Sequence, residues 1–140
     1  GVRGALFSVN PDLVIGLDVT VSGDTPDVKE SEAIPKLGKG AVLGLKDSVS
    51  ILDPKLRDWI EEIAKKKKIK IQYDIMEHGT TDSSIASMIR EGIPSINILT
   101  PCRYLHTEVE VIDMNDVRSV IKIVKEIINE FNNYYSREFN

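Results

Sequence analysis

The chain has 140 residues, a formal net charge of −4 and a sequence pI near 5.2. Its 41% hydrophobic and 29% charged residues are the composition of an ordinary globular domain and argue against a disordered chain. The acidic balance argues against nucleic acid, which needs a basic face to meet phosphates, and no apolar run approaches the roughly 18 residues of a membrane-spanning helix.

The length supports one domain with its own core. Cys102 stands alone, so an internal disulfide is excluded, and the chain is compatible with a reducing, cytoplasmic compartment. The opening Gly1-Val-Arg-Gly-Ala-Leu6 has neither a Met nor a basic-then-apolar leader. The chain is therefore expected to begin inside a longer reading frame or after processing.

Taken in order, Gly1 to Val9 reads as one or two helical turns, and Asn10-Pro-Asp12 as a turn. Leu13 to Val19 is a near-continuous apolar run, expected to be a buried strand ending near Asp18. Thr20 to Leu37 is polar, contains Gly23, Pro26 and Pro35, and reads as a long surface connection. Gly38-Lys-Gly40 is too short for a phosphate loop and reads as a turn into a second strand, Ala41 to Leu45.

Asp53-Pro54 opens a helix, with Asp as N-cap and Pro at the first helical position. Leu56, Trp59, Ile60, Ile63 and Ala64 form one apolar face of it, and Lys65 to Lys68 complement the dipole at its end. Lys70 to Met76 alternates and predicts a strand. Thr80-Thr-Asp82 caps a helix over 83–91, with Ile85, Met88 and Ile89 inward and Gly92 as its stop. Ile93 to Leu99 is a fourth strand, with its core in Ser95-Ile-Asn-Ile-Leu99. Asn115-Asp116 precedes a last helix whose apolar stripe is Val117, Val120, Ile121, Val124, Ile127, Ile128 and Phe131, followed by a frayed tail from Asn132. Strands alternating with helices predict an α/β domain, a mainly parallel central sheet flanked by helices.

Two residues carry the chemistry. Asp18 closes an apolar strand, and His106 closes the segment Thr100-Pro-Cys-Arg-Tyr-Leu-His106 that follows another. Open α/β sheets bind ligands at the carboxyl ends of strands, and a carboxylate with an imidazole arriving there suits a metal. Each also reads more plainly, Asp18 as a loop cap and His106 as a hydrogen-bonded loop residue. Glu108 and Glu110 stand either as outer support for the His or as exposed charges. Cys102 near His106 admits a nucleophile reading, but nothing beyond Arg103 activates it, so it reads as an inert buried thiol. In His78-Gly-Thr-Thr-Asp82, N-capping by Thr81 or Asp82 stands beside a reading in which backbone N–H groups hold a substrate oxygen.

Five segments occur in order and at suitable spacing: Gly1-Val-Arg-Gly-Ala5; Leu17-Asp-Val-Thr20 with Asp24-Thr-Pro26; Leu37-Gly-Lys-Gly40; Gly79-Thr-Thr-Asp82; and Arg103-Tyr-Leu-His106. Together they resemble the C-terminal half of the catalytic domain of M42 metallo-aminopeptidases, the tetrahedral or TET enzymes whose relatives are often labelled endoglucanases.

The resemblance covers the chain to about Phe131 and implies a zinc-peptidase, phosphorylase/hydrolase-like fold. It implies a centre of two divalent metal ions, zinc or cobalt, in which Asp18 matches the second Asp ligand and His106 the second His, each on a different ion. It places the general base, the bridging Asp, the remaining ligands and a dimerisation domain upstream of Gly1, so this chain holds no catalytic residue of its own. The implied activity is removal of N-terminal residues from peptide substrates by a homo-oligomer, a tetrahedral dodecamer in complete members. The chain alone is then expected to be inactive. The alternatives are a non-catalytic assembly piece and, from the label of relatives, a glucan hydrolase; a glycosidase needs two suitably spaced carboxylates, and no convincing pair is present.

Overall fold

A computed structural model describes residues 1–26, 28 and 35–139. Its elements are α1 (Val2–Val9), β1 (Val14–Val21), β2 (Ala41–Lys46), α2 (Pro54–Lys67), β3 (Ile71–Ile75), a 3-10 helix (Asp82–Met88), β4 (Ser95–Arg103), β5 (Val111–Ile112) and α3 (Met114–Phe139). The strands form one sheet in the order β1-β4-β2-β3, with β5 added to the far end of β4. The long pairings, β1 with β4 and β2 with β3, are parallel, whereas β4 meets β2 and β5 through short antiparallel ladders. The sheet is therefore mixed, within the α/β class that the alternation of elements predicts.

Strand alternation assigns each face. Leu13 and Ile15 join Ala41, Leu43, Ile96 and Ile98 beneath α2 and α3, which contribute Leu56, Trp59, Ile60, Ile63, Ile123 and Ile127. Val14 turns to the other face, against Leu6 of α1 and Ala86, Ile89 and Ile93 around the 3-10 helix. Gly16 shares that second face. A Cβ at Gly16 would stand 2.4 Å from Ser83 Oγ, so glycine is what lets the 3-10 helix lie on β1. By the same alternation Asp18 and Thr20 follow Gly16 onto this face, and β4 places Asn97, Leu99 and Arg103 beside them.

Local chemistry explains the boundaries. The Asp53 carboxylate accepts from Lys55 N–H at 2.7 Å ahead of Pro54, the cap expected at the start of α2. Leu37 to Gly40 turns because Gly38 and Gly40 both adopt positive φ, and their N–H groups each donate to the buried Asp116 carboxylate at 2.7 Å. Gly40 admits no side chain, since a Cβ would meet the Lys70 carbonyl at 2.1 Å.

Several expectations are corrected. Thr20 and Val21 belong to β1, not to the following connection, of which residues 27 and 29–34 lie outside the described residues. β4 runs on through Thr100–Arg103 rather than stopping at Leu99. Pro101 is tolerated there because the β2 ladder ends at Leu99 and the β5 ladder begins at Cys102, so Pro101 falls between them. The helix expected over 83–91 is a 3-10 segment ending at Met88, and Met88 is exposed while Ile89 is buried.

The stripe on α3 is also rotated from the expected one. Ile123 and Ile127 are fully buried, whereas Ile121 and Ile128 are 61% and 63% exposed. The tail does not fray at Asn132, because Tyr134 stacks on Trp59 with centroids 4.1 Å apart at 16° and carries the helix to Phe139.

Ile123→Ala is expected to cost roughly 2–5 kcal/mol in urea unfolding, the range for emptying a core aliphatic. Ile121→Ala is expected to stay within about 0.5 kcal/mol of the parent, as for an exposed site. Equal losses at the two positions would contradict the inward face assigned to α3.

Candidate metal centre

Asp18 lies within β1, in register with Leu99, and not at the strand's end as expected. Its side chain is exposed, and among the described residues its carboxylate accepts one hydrogen bond, from the adjacent Val19 N–H at 2.8 Å. The other carboxylates of this region are occupied. Asp116 holds the two glycine N–H groups. Asp47 accepts from Val49 and Ser50 N–H at 2.8 Å each and from the Ser84 hydroxyl. Burial pushes the Asp47 carboxyl up, and these bonds outweigh it, leaving the group below its ordinary value. Asp74 accepts from Thr20, and burial pushes its carboxyl up. Unlike Asp24, Asp47, Asp74 and Asp116, Asp18 has open acceptor capacity.

His106 lies three residues beyond β4 and is exposed. Tyr104 and His106 both hold the left-handed backbone conformation, with φ of 59° and 64°. Non-glycine residues pay for that conformation and keep it where the surroundings impose it. Thr107 returns its N–H (3.1 Å) and its hydroxyl (2.6 Å) to the Tyr104 carbonyl, closing the turn. Glu110 does reach His106, but its Oε1 accepts the backbone N–H at 2.7 Å, not a ring proton.

The two segments meet through Asp24 and Arg103. Arg103 Nε and Nη2 donate to the two Asp24 carboxylate oxygens at 2.9 and 2.7 Å, a two-pronged ion pair. Asp24 also accepts from the Ser22 hydroxyl and from Leu37 N–H at 3.2 Å. The Arg103 guanidinium, with these bonds, holds the Asp24 carboxyl well below the usual carboxylate range. Ser22 N–H donates to the Cys102 carbonyl at 2.9 Å, extending the β1–β4 ladder to the edge of the pair. The pair therefore joins the strand that carries Asp18 to the strand that delivers His106.

The remaining candidates resolve structurally. Thr81 caps the 3-10 helix in a reciprocal box with Ser84, and its hydroxyl donates to Asn97 Oδ1 at 2.6 Å, which supports the capping reading of Gly79-Thr-Thr-Asp82. Cys102 is buried, and burial pushes its thiol up, opposite to what a nucleophile needs. No group of three or more His, Cys, Asp or Glu able to hold a metal occurs among the described residues. Asp18 and His106 are donors of suitable chemistry for a divalent ion but are not by themselves a closed site.

The fold is an α/β sheet flanked by helices, with an exposed carboxylate on one strand and an exposed imidazole just past the end of its neighbour. The chain belongs to the M42 glutamyl aminopeptidase family, whose model matches residues 1–123. A protein of Acetivibrio thermocellus carrying a provisional aminopeptidase name is 38% identical over 128 residues, covering 91% of this chain and 38% of the relative. The lysyl aminopeptidase of Pyrococcus furiosus is 34% identical over 131 residues, covering 93% and 36%.

Among solved structures, the TET aminopeptidase of a marine sediment Thaumarchaeota archaeon superposes with a TM-score of 0.87 at 34% identity, covering 91% of this chain and 36% of that one. The TET1 peptidase of Pyrococcus horikoshii, described as assembling into a tetrahedron or a large octahedral shell, superposes at 0.67 with 31% identity, covering 89% and 36%. The chain thus spans little more than a third of the length of the relatives it matches.

Because the folded pKa of Asp24 is depressed, its share of stability is complete above its unfolded value of about 4. That share is lost as pH falls through the window between this value and the lower folded one. Asp24→Asn is expected to lower stability at pH 7 by about 1–3 kcal/mol and to flatten the acid limb of a urea-midpoint series from pH 7 down to pH 2. An unchanged acid limb would show that Asp24 is not held in its charged form.

Proposed function

We propose that this chain is part of a metal-dependent aminopeptidase that removes N-terminal residues from peptides, with Asp18 and His106 as metal ligands of a two-ion centre. The observation that carries the reading is the contrast among carboxylates: Asp24, Asp47, Asp74 and Asp116 are engaged in hydrogen bonds, while Asp18 is open and lies on the strand tied to the His106 segment. Membership of the M42 glutamyl aminopeptidase family supports the hydrolase class.

In this reading Asp18 supplies a charged oxygen donor and His106 a neutral nitrogen donor, a set that suits zinc or cobalt. When bound, such ions polarise a peptide carbonyl and lower the pKa of a bound water. Asp18 contributes negative charge from a strand braced by β4, and the left-handed turn at His106 presents the imidazole at the surface. The general base, the bridging ligand, the other donors and the dimerisation domain are assigned to segments outside this chain, in keeping with the share of its relatives that it spans. The chain alone is accordingly inactive, and its setting is cytoplasmic. Membership of the M42 glutamyl aminopeptidase family favours peptide hydrolysis over glucan hydrolysis.

A second reading, as an assembly piece, is favoured by one surface. Leu17 of β1 and Ile121 and Ile128 of α3 are 60–63% exposed beside a strand edge that has no partner among the described residues. Open edges flanked by apolar surface favour association. A homo-oligomer is consistent with the assemblies described for the P. horikoshii relative. No helix among the described residues is long and apolar enough to cross a membrane.

The test replaces the matching segment of the P. furiosus lysyl aminopeptidase with this chain and assays aminoacyl-amide hydrolysis. The hybrid is expected to be active and to be silenced by a chelator. Asp18→Ala or His106→Ala is expected to lower kcat/KM by at least about 100-fold, the scale on which outer metal-site defects already act. Full activity in either variant would sink the ligand assignment. A folded but inactive hybrid would favour the assembly reading.

A further inference from the structure

We infer that the Arg103–Asp24 ion pair is a positioning device for the metal ligands: it fixes where the His106 turn stands relative to Asp18. The inference rests on the proposed metal reading for its purpose, but its geometry is independent of any ion.

Asp24 follows Asp18 by six residues on one segment, and Arg103 precedes His106 by three on the other. The guanidinium fork binds both oxygens of one carboxylate, so it fixes an orientation as well as a distance. The pair is placed where other restraints run out. The β1–β4 ladder ends with Ser22 N–H on the Cys102 carbonyl, and β5 pairs with β4 only at Cys102 and Arg103. Beyond Arg103 the chain enters the two left-handed residues at once.

A turn of this kind needs its entry fixed, and Arg103 fixes the entry while Glu110 holds the His106 N–H. Asp24 is itself braced by Ser22 and by Leu37, the residue that leads into the Asp116-bound glycine turn. The orientation of the His106 turn is thereby referred, through Arg103 and Asp24, to β1 and to the start of α3. A general stabilising pair would spread its effect through the sheet. A positioning pair acts on the two ligand-bearing segments.

Two backbone amides report those segments directly. Val19 N–H is bound to the Asp18 carboxylate, and His106 N–H to Glu110. The experiment measures hydrogen exchange and chemical shifts of these amides by NMR in the labelled 140-residue chain for the parent, Arg103→Gln, Asp24→Asn, Arg103→Lys and the Asp24→Asn/Arg103→Gln double variant. The last removes both charges and so leaves none unpaired.

In the Gln and Asn variants and in the double variant, exchange at His106 and Val19 is expected to accelerate about tenfold more than at Leu43 and Ile98, core amides that report any global loss of stability. Arg103→Lys, which keeps the charge and loses the fork, is expected to recover only part of the protection. Unchanged exchange at both reporter amides in the double variant would overturn the inference, and so would a uniform acceleration that includes Leu43 and Ile98. Full rescue by Arg103→Lys would overturn the orientational role.

A zinc titration of the parent chain is read separately at Asp18 and the His106 ring. Its failure would count against the metal reading alone and would leave the exchange result standing.

Discussion

The two-pronged contact between Arg103 and Asp24 is the constraint on which the candidate site depends. The sheet by itself brings β1 and β4 together, but strand pairing stops short of His106. One charged, partly buried contact carries the order of the sheet into an irregular turn that backbone hydrogen bonding alone does not reach. It also gives the resemblance motifs a physical meaning. Asp24-Thr-Pro26 and Arg103-Tyr-Leu-His106 lie 79 residues apart in sequence and are the two halves of one contact. Leu37-Gly-Lys-Gly40 has an equally plain reason, since two glycine N–H groups close on the buried Asp116 carboxylate. Of the five segments that point to the family, these are held by hydrogen bonding, and Gly79-Thr-Thr-Asp82 is a cap held against Asn97.

The division of labour between the faces follows from side-chain size. The face under α2 and α3 is filled by aliphatic residues around Trp59 and Tyr134. The opposite face carries a smaller apolar cluster of Leu6, Ala86, Ile89 and Ile93 and, where Gly16 and Gly44 lie beside Asn97, a close approach of the 3-10 helix with a polar network of Thr81, Ser83, Ser84 and Asp47. Asp18 sits two residues beyond Gly16 on that face. Hydrophobic burial is thus larger on one side of the sheet, and the other side also holds buried polar groups and the exposed Asp18.

Much of this was legible in the sequence. Near-continuous apolar runs located β1, β2 and β4, and the Asp53-Pro54 start and the face from Leu56 to Ala64 located α2. What failed did so for stated reasons. An apolar repeat on α3 marks two stripes, and only contact with Trp59 and the sheet selects Ile123 and Ile127 over Ile121 and Ile128. The length of β4 was hidden because a proline usually ends a central strand, and the gap between two ladders is a tertiary fact. The open state of Asp18, the role of Asp24 and the grip of Glu110 on a backbone N–H are likewise pairings between distant or locally folded groups. No residue type or spacing announces them in advance.

The central claim is that Asp18 and His106 are metal ligands brought into register by the β1–β4 pairing and the Arg103–Asp24 contact. The most direct measurement is anomalous X-ray diffraction at the zinc edge from crystals of the hybrid enzyme carrying this chain. The account predicts anomalous peaks within bonding distance of an Asp18 carboxylate oxygen and of a His106 ring nitrogen, with the Arg103 fork intact on Asp24. Occupied metal positions with either side chain turned away would contradict it.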